Sequence, residues 1–263
     1  MKTKLLTSLL ALYTIGHPIF VNATELNRTV GQWDLNGNPQ DSSGNNLNGT
    51  AANVTPTTDR FGQPNGAMLF GNNVSSRVTI PYQSSLNLGS NFGVSMWFKY
   101  NQGWSYSDES LIYQYNTITG NGWALDLNQD DGEYGEGKYK LHFDILDSFT
   151  MSERAGSIFQ IYSSALSVQD ITSWNKVSVS MLDGVASMYV NDVLQNTLSF
   201  SGQVPTINAD IIIGGSINPG DPVTMVPVER SFDQVVITVP EPSALSLLAI
   251  GLGGLAMMRR RRS

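Results

Sequence analysis

Apolar and polar residues alternate along most of this chain in short runs cut by turn residues, and no long stretch carries a 3.6-residue period. Alternation of that kind puts every second side chain on one buried face, so it predicts β-strands and an all-β body. The clearest stretch is Trp174 to Phe200. Val177, Val179 and Met181 alternate with serines, Asp183-Gly184 supplies a two-residue hairpin turn, and Ala186, Met188 and Val190 alternate back. Asn191-Asp192 is a second turn and Val193 to Phe200 returns, which makes a three-strand meander. In the first half the longest strand is Phe92 to Tyr100. There Val94, Met96 and Phe98 share a face while Trp97 points the other way, as expected of a central strand.

Shorter runs predict further strands at Trp33–Leu35, Ala67–Phe70, Arg77–Ile80, Leu111–Tyr115 and Trp123–Leu127. Others follow at Tyr139–Ile145, Ile158–Tyr162, Ile211–Ile213 and Gln234–Val239, for roughly a dozen strands in two sheets. Ala67–Phe70 and Arg77–Ile80 are read as flanking the turn Gly71-Asn72-Asn73. Asn36–Asn48 and the acidic, glycine-rich Asn128–Gly137 read as loops, and Val168–Trp174 as a short helical turn.

Both ends depart from this pattern. Lys2 and Lys4 precede the mostly apolar Leu5–Ile15, Gly16 and Pro18 break the run, and Val21-Asn22-Ala23 offers the small residues a signal peptidase reads. The expectation is a signal peptide over residues 1–23. At the other end Pro240 and Pro242 hold the chain extended, because each proline fixes its own φ and biases its predecessor away from the helix. Ser243–Met258 then runs without a charge, and Arg259, Arg260, Arg261 and Arg262 close it. As a helix that run is about 24 Å long, short of a ~30 Å hydrocarbon layer, so flanking residues must complete the span. The arginines would act as a membrane stop on the cytoplasmic side.

Taken alone, the tail reads as a membrane anchor. Its order of Pro-Glu-Pro, short apolar helix and arginine cluster also resembles the PEP-CTERM sorting signal of bacteria. That resemblance implies export, transient retention in the inner membrane, and processing by an exosortase, a membrane cysteine protease, around Val239, Pro240, Glu241 and Pro242. Residues 239–263 are then the sorting signal and residues 24–238 the cargo, destined for the cell surface or the extracellular matrix.

Charge narrows the partners. Glu241 is the one acidic residue outside Thr24–Val239, while Lys2, Lys4 and the terminal arginines take six of the 15 basic ones; the body keeps 21 acidic against nine basic, net −12. Such a surface repels a phosphate backbone, so nucleic acid is not an expected partner. With no cysteine there are no disulfides, thiolate metal sites or cysteine nucleophiles, and the exported body must be held by its core.

The body resembles a known family too. Trp33-Asp34-Leu35 with Asp41-Ser42-Ser43-Gly44-Asn45, Gly66-Ala67-Met68-Leu69-Phe70 and Phe92 to Lys99 resemble the first half of a LamG-like domain. Trp174-Asn175-Lys176-Val177, Met188-Tyr189-Val190-Asn191-Asp192 and Phe232-Asp233-Gln234-Val235 resemble its second half. The fold this implies is the concanavalin A-like jelly roll, a sandwich of two antiparallel sheets. Two departures stand out: the family usually has Asn-Gly where Asn191-Asp192 stands, and an acidic residue where Gln234 stands. The resemblance also implies a structural Ca²⁺ near the first Asp loop, with Asp41 as ligand and Asp233 as partner; oxygen ligands suit that hard cation. The other reading of Asp41 is a cap on its own Asx-turn.

Catalytic signals are sparse. His142 is the body's one histidine and sits mid-strand, where a structural role is expected. The Glu-x-Asp-x-x-Glu strand motif of glycosidases on this fold is missing; Asp144 and Asp147 are the nearest approach. Asp126, Asp130, Asp131, Glu133 and Glu136 read as a solvated acidic loop or a weak Ca²⁺ site. Trp97, Trp123 and Trp174 are assigned to core packing, whereas Trp104 and Tyr106, in a polar loop, are the candidate rings for stacking on sugar. The expected function is a non-catalytic surface or matrix protein whose jelly roll binds carbohydrate or another matrix component. The alternatives are a glycan hydrolase or lyase using unrecognised carboxylates, and a matrix filler without ligand.

Overall fold

The computed structural model describes residues 26–71, 73, 75–102, 108–129, 137–146, 157–215 and 228–241. The signal-peptide region, Trp104, Tyr106, Asp130, Asp131, Glu133, Glu136, Asp147, Pro242 and the apolar tail with Arg259–Arg262 lie outside the described residues. Among the described residues no helix is long and apolar enough to cross a membrane.

In chain order the first strands are β1 (Arg28–Trp33), β2 (Thr50–Ala52), β3 (Val54–Thr57), β4 (Ala67–Phe70), β5 (Arg77–Ile80) and β6 (Phe92–Tyr100). Then come β7 (Asp108–Tyr115), β8 (Gly122–Gln129), β9 (Lys138–Leu146), β10 (Ser157–Tyr162) and β11 (Leu166–Ser167), followed by the one-turn helix α1 (Val168–Ile171). The last are β12 (Asn175–Leu182), β13 (Val185–Val190), β14 (Val193–Ser199), β15 (Ile211–Gly214) and β16 (Arg230–Val239). They form two antiparallel sheets. Sheet A has the order β14-β13-β12-β6-β16-β4-β3, with β1 also on β16; sheet B has the order β10-β9-β8-β7-β15-β5-β2, with β11 also on β9. This is the expected all-β, jelly-roll-like sandwich.

The core lies between the sheets. Val94, Met96 and Phe98 of β6 and Val177, Val179 and Met181 of β12 are buried, as the alternation requires. Phe92 of sheet A meets Trp123 and Phe143 of sheet B, with ring centroids 5.8 and 6.1 Å apart. The β12–β13–β14 meander has the expected register, Val179 facing Met188 and Met188 facing Asn196. Both of its turns use left-handed residues, Asp183 and Gly184 at φ 50° and 77° and Asn191 and Asp192 at φ 51° and 63°. Left-handed pairs match the right-handed strand twist, so Asn-Asp serves the turn that Asn-Gly serves elsewhere.

The structure corrects one local reading and adds to two others. β4 and β5 are strands as expected, but β4 lies in sheet A and β5 in sheet B, so the chain changes sheets between Phe70 and Arg77. Trp33–Leu35 is not the strand; β1 ends at Trp33 and Leu35 is left-handed at φ 54°. Short β2 and β3 were not foreseen, because TAA and VTPT are mostly exposed and lack an apolar face.

Candidate functional site

The outer faces of the two sheets carry different side chains. On β8, Trp123, Leu125 and Leu127 point into the core, so Ala124 and Asp126 point outward. On β9, Leu141, Phe143 and Ile145 point inward, so His142 and Asp144 point outward. Ladder register then aligns them. Asp126 faces His142, and His142 faces Tyr162 on β10. In the next row Gln160 faces Asp144, Asp144 faces Ala124, and Ala124 faces Tyr113 on β7. The His142 and Tyr162 rings meet edge to face at 4.4 Å, and the Tyr162 hydroxyl donates to Gln160 Oε1 at 2.6 Å.

Exposure sorts this row into two kinds of residue. Asp126, His142 and Asp144 are 1, 4 and 2% exposed, whereas Tyr113, Tyr115, Gln160 and Tyr162 around them are half-buried. Burial pushes the Tyr113 phenol up to about 12; Arg77 pulls it down and Asp126 adds to the rise. Burial likewise raises Tyr115. The half-buried residues carry rings, hydroxyls and an amide, and among them the buried His142 packs against the Tyr162 ring. Asp126 is therefore a strand residue on this face, not part of the solvated acidic loop.

Sheet A differs. Trp97 and Trp174, assigned from sequence to the core, are half-buried; on β6, Val94, Met96 and Phe98 already fill the inward positions, which leaves Trp97 on the outer face. The Arg60 guanidinium stands 5.0 Å over Trp97 and 4.5 Å over Phe61, and Lys99 Nζ lies 5.8 Å over Trp174. Phe61 is 71% exposed. Arg60 also forms a salt bridge with Asp233 and donates to Gln234 Oε1 at 3.1 Å. β16 shifts register between Asp233 and Val236, with Gln234 left-handed at φ 43°. There β4 gives way to β1 along the same edge of β16, since β4 pairs with Arg230–Phe232 and β1 with Val235–Val239. Arg60 pins that junction, which gives Gln234 a role where the family usually has an acid. Burial pushes the Asp233 carboxyl above its ordinary value, and the hydrogen bond and charge of Arg60 pull it back only in part.

Asp41 stands elsewhere. Its Oδ1 accepts the backbone N–H of Gln32 at 3.1 Å and of Ser43 at 2.9 Å, and its Oδ2 accepts that of Leu47 at 2.9 Å. Trp33 Nε1 donates to Leu47 O at 2.8 Å in the core. Together these bonds wrap the Asn36–Asn48 loop onto β1. Burial raises the Asp41 carboxyl, but the hydrogen bonds from Ser43, Leu47 and Gln32 outweigh it and hold the carboxyl below its ordinary value. A carboxylate has about four lone-pair positions, so three amides leave Asp41 little for a metal. Asp233 does not fit a Ca²⁺ ligand while Arg60 neutralises it. Among the described residues no group of three His, Cys, Asp or Glu side chains stands close enough to hold a metal.

The sequence presents His142 and Asp144 only singly. The signal that unites them is the period-two facing of β8 and β9, but the register that sets Asp126 opposite His142 is not written in either strand. Nothing in the sequence pointed to Arg60.

Two antiparallel eight-stranded sheets packed face to face define a jelly-roll-like sandwich. Residues 70–226 match the family described as the concanavalin A-like lectin/glucanases superfamily, and the chain belongs to it. Residues 238–262 match the PEP-CTERM protein-sorting motif, which marks an exported protein. No curated protein sequence matches the chain. Among solved structures, domain 4 of AbnA, a GH43 extracellular arabinanase from Geobacillus stearothermophilus, in complex with arabinotriose, is 17% identical with TM-score 0.56, over 82% of this chain and 94% of that one. The botulinum neurotoxin type G receptor binding domain is 15% identical with TM-score 0.56, over 83% of this chain and 49% of that one. The binding domain of botulinum neurotoxin DC in complex with SialylT is 11% identical with TM-score 0.58, over 82% and 49%. The chain thus spans about half the length of these toxin domains, and at such identities the likeness is one of fold.

Proposed function

We propose that this is a non-catalytic glycan-binding protein, exported and handed by an exosortase to the cell surface or extracellular matrix, with the outer face of sheet B as its binding surface. The observation that carries the reading is the row in which half-buried Tyr113, Gln160 and Tyr162 surround the buried Asp126, His142 and Asp144. A sugar presents an apolar C–H face and a rim of hydroxyls. Tyrosine rings cover the first, while an amide and phenolic oxygens bond the second. The arabinotriose and SialylT complexes of the neighbouring structures are consistent with such a ligand. Trp104 and Tyr106, which precede β7 in the chain, are further candidate rings.

The burial of Asp126 and Asp144 supports a binder over a hydrolase. Carboxylates that protonate or attack a glycosidic bond must touch it, and these two are only 1 and 2% exposed. The test is a glycan array of the Thr24–Val239 body, with a reducing-end assay on any polysaccharide that binds. Binding without release of reducing ends is the expected result. Release that is lost in Asp126→Asn or Asp144→Asn would make the protein an enzyme.

A further inference from the structure

The sorting motif and the folded sheet overlap. The motif match begins at Thr238, yet β16 runs to Val239. Thr238 is paired on both edges, with Gly93 of β6 and Thr29 of β1, and Val239 is paired with Arg28 of β1. Val239 is only 6% exposed. Pro240 is half-buried and lines a groove of about 330 Å³ with Arg28, Ser85, Asn87, Ser90 and Asn91, and Glu241 is the first exposed residue of the motif. No spacer separates the last ladder pair from the Pro-Glu-Pro segment.

We propose that the folded body restrains its own processing: the β1–β16 end must open before the sorting motif can enter the exosortase. A protease binds several residues on each side of its scissile bond as an extended, unpaired chain. A cut at or next to Pro240 therefore needs Thr238 and Val239 released from both neighbours. The cut itself breaks one C–N bond; the acyl carbon takes oxygen from water or nitrogen from an acceptor amine, and the departing tail leaves with a free amine. What the fold controls is the fraction of molecules in which that bond is reachable, and such local openings are set by the stability of the strand end. This inference rests on the exosortase reading above.

The experiment uses the full chain in cells that process it, with the tail's loss followed by pulse-chase. Inserting Gly-Ser-Gly-Ser-Thr-Val between Val239 and Pro240 leaves β16 intact and presents a second, unpaired Thr-Val before Pro240. Processing should quicken by about tenfold, the gain from abolishing an opening step that populates roughly a tenth of molecules or less. The double variant Arg28→Pro/Thr29→Pro leaves every tail residue unchanged. Strand N–H groups alternate in direction, so one of the two lost donors must face β16, and processing should again quicken. Unchanged rates in both would overturn the restraint, and slower processing of the spacer variant would instead make the body a docking surface for the enzyme. Pro240→Ala/Pro242→Ala serves as the separate control. If that variant is processed at the normal rate, the exosortase reading fails whatever the spacer does.

Discussion

The two outer faces use aromatic residues in opposite ways. On sheet A, Arg60 and Lys99 lie over Trp97 and Trp174, and Arg60 binds Asp233 beneath. The cations occupy the ring faces, and Trp97 with Arg60 belongs to the sheet's own junction between β4 and β1. On sheet B the polar groups are buried and the rings stand around them, His142 meeting Tyr162 edge to face. An outer-face tryptophan whose ring a cation of its own chain already covers is thus the poorer binding candidate. The same comparison separates two kinds of carboxylate: Asp233 is balanced by a cation, whereas Asp41 is balanced by backbone amides.

The largest expected effect comes from breaking the pair on sheet A. Arg60→Ala leaves Asp233 buried without its counter-charge and should cost about 3 kcal/mol by denaturant unfolding. The pH dependence gives a second check. The folded carboxyl of Asp233 already lies above its ordinary 3.8, so the stability it contributes is present below that value and lost as pH rises through the folded one. Removing Arg60 raises it further, and the loss in Arg60→Ala should grow between acid and neutral pH. An equal loss at both would show that Arg60 acts by packing alone.

Asp41→Asn is next, at about 1–2 kcal/mol, because an amide nitrogen cannot accept the buried Leu47 N–H. Asp41 is held below its ordinary value, so its stabilisation is present above 3.8 and lost as pH falls through the folded value; the variant should lack that acid limb. The loop clasp loses the same stability in calcium and in chelator. A wild-type melting shift with calcium that Asp41→Asn abolishes would assign the residue to a metal instead.

The smallest effect is a gain. Asp192 holds φ 63° in the β13–β14 turn, and its ion pair with Lys176 is exposed and contributes little. Asp192→Gly should raise stability by about 0.5–1 kcal/mol. A fall would mean that the Lys176 contact outweighs the backbone strain.

Much of the fold was legible because its determinants are local. Val177, Val179 and Met181 name their face by alternation, and Asp183-Gly184 names its turn. The β4–β5 crossing was not legible, since a Gly-Asn-Asn turn serves a hairpin or a sheet change equally well and distant β15 and β16 decide which. The site was less legible for the same reason. Asp126, His142 and Tyr162 lie on three strands, and only the ladder register brings them into one row. Arg60 reaches Asp233 across 173 positions of chain, and no periodicity records such a contact. Trp97 could be placed on an outer face from β6 alone, but the cation covering it could not.

Which outer face meets the ligand is decided most directly by a glycan array of the Thr24–Val239 body repeated with Tyr162→Ala and Trp97→Ala. The expected result is one class of glycan bound equally by the wild type and Trp97→Ala, and bound about tenfold more weakly by Tyr162→Ala, each variant retaining its β spectrum. Absence of binding to any glycan, or loss in Trp97→Ala with Tyr162→Ala intact, would contradict it.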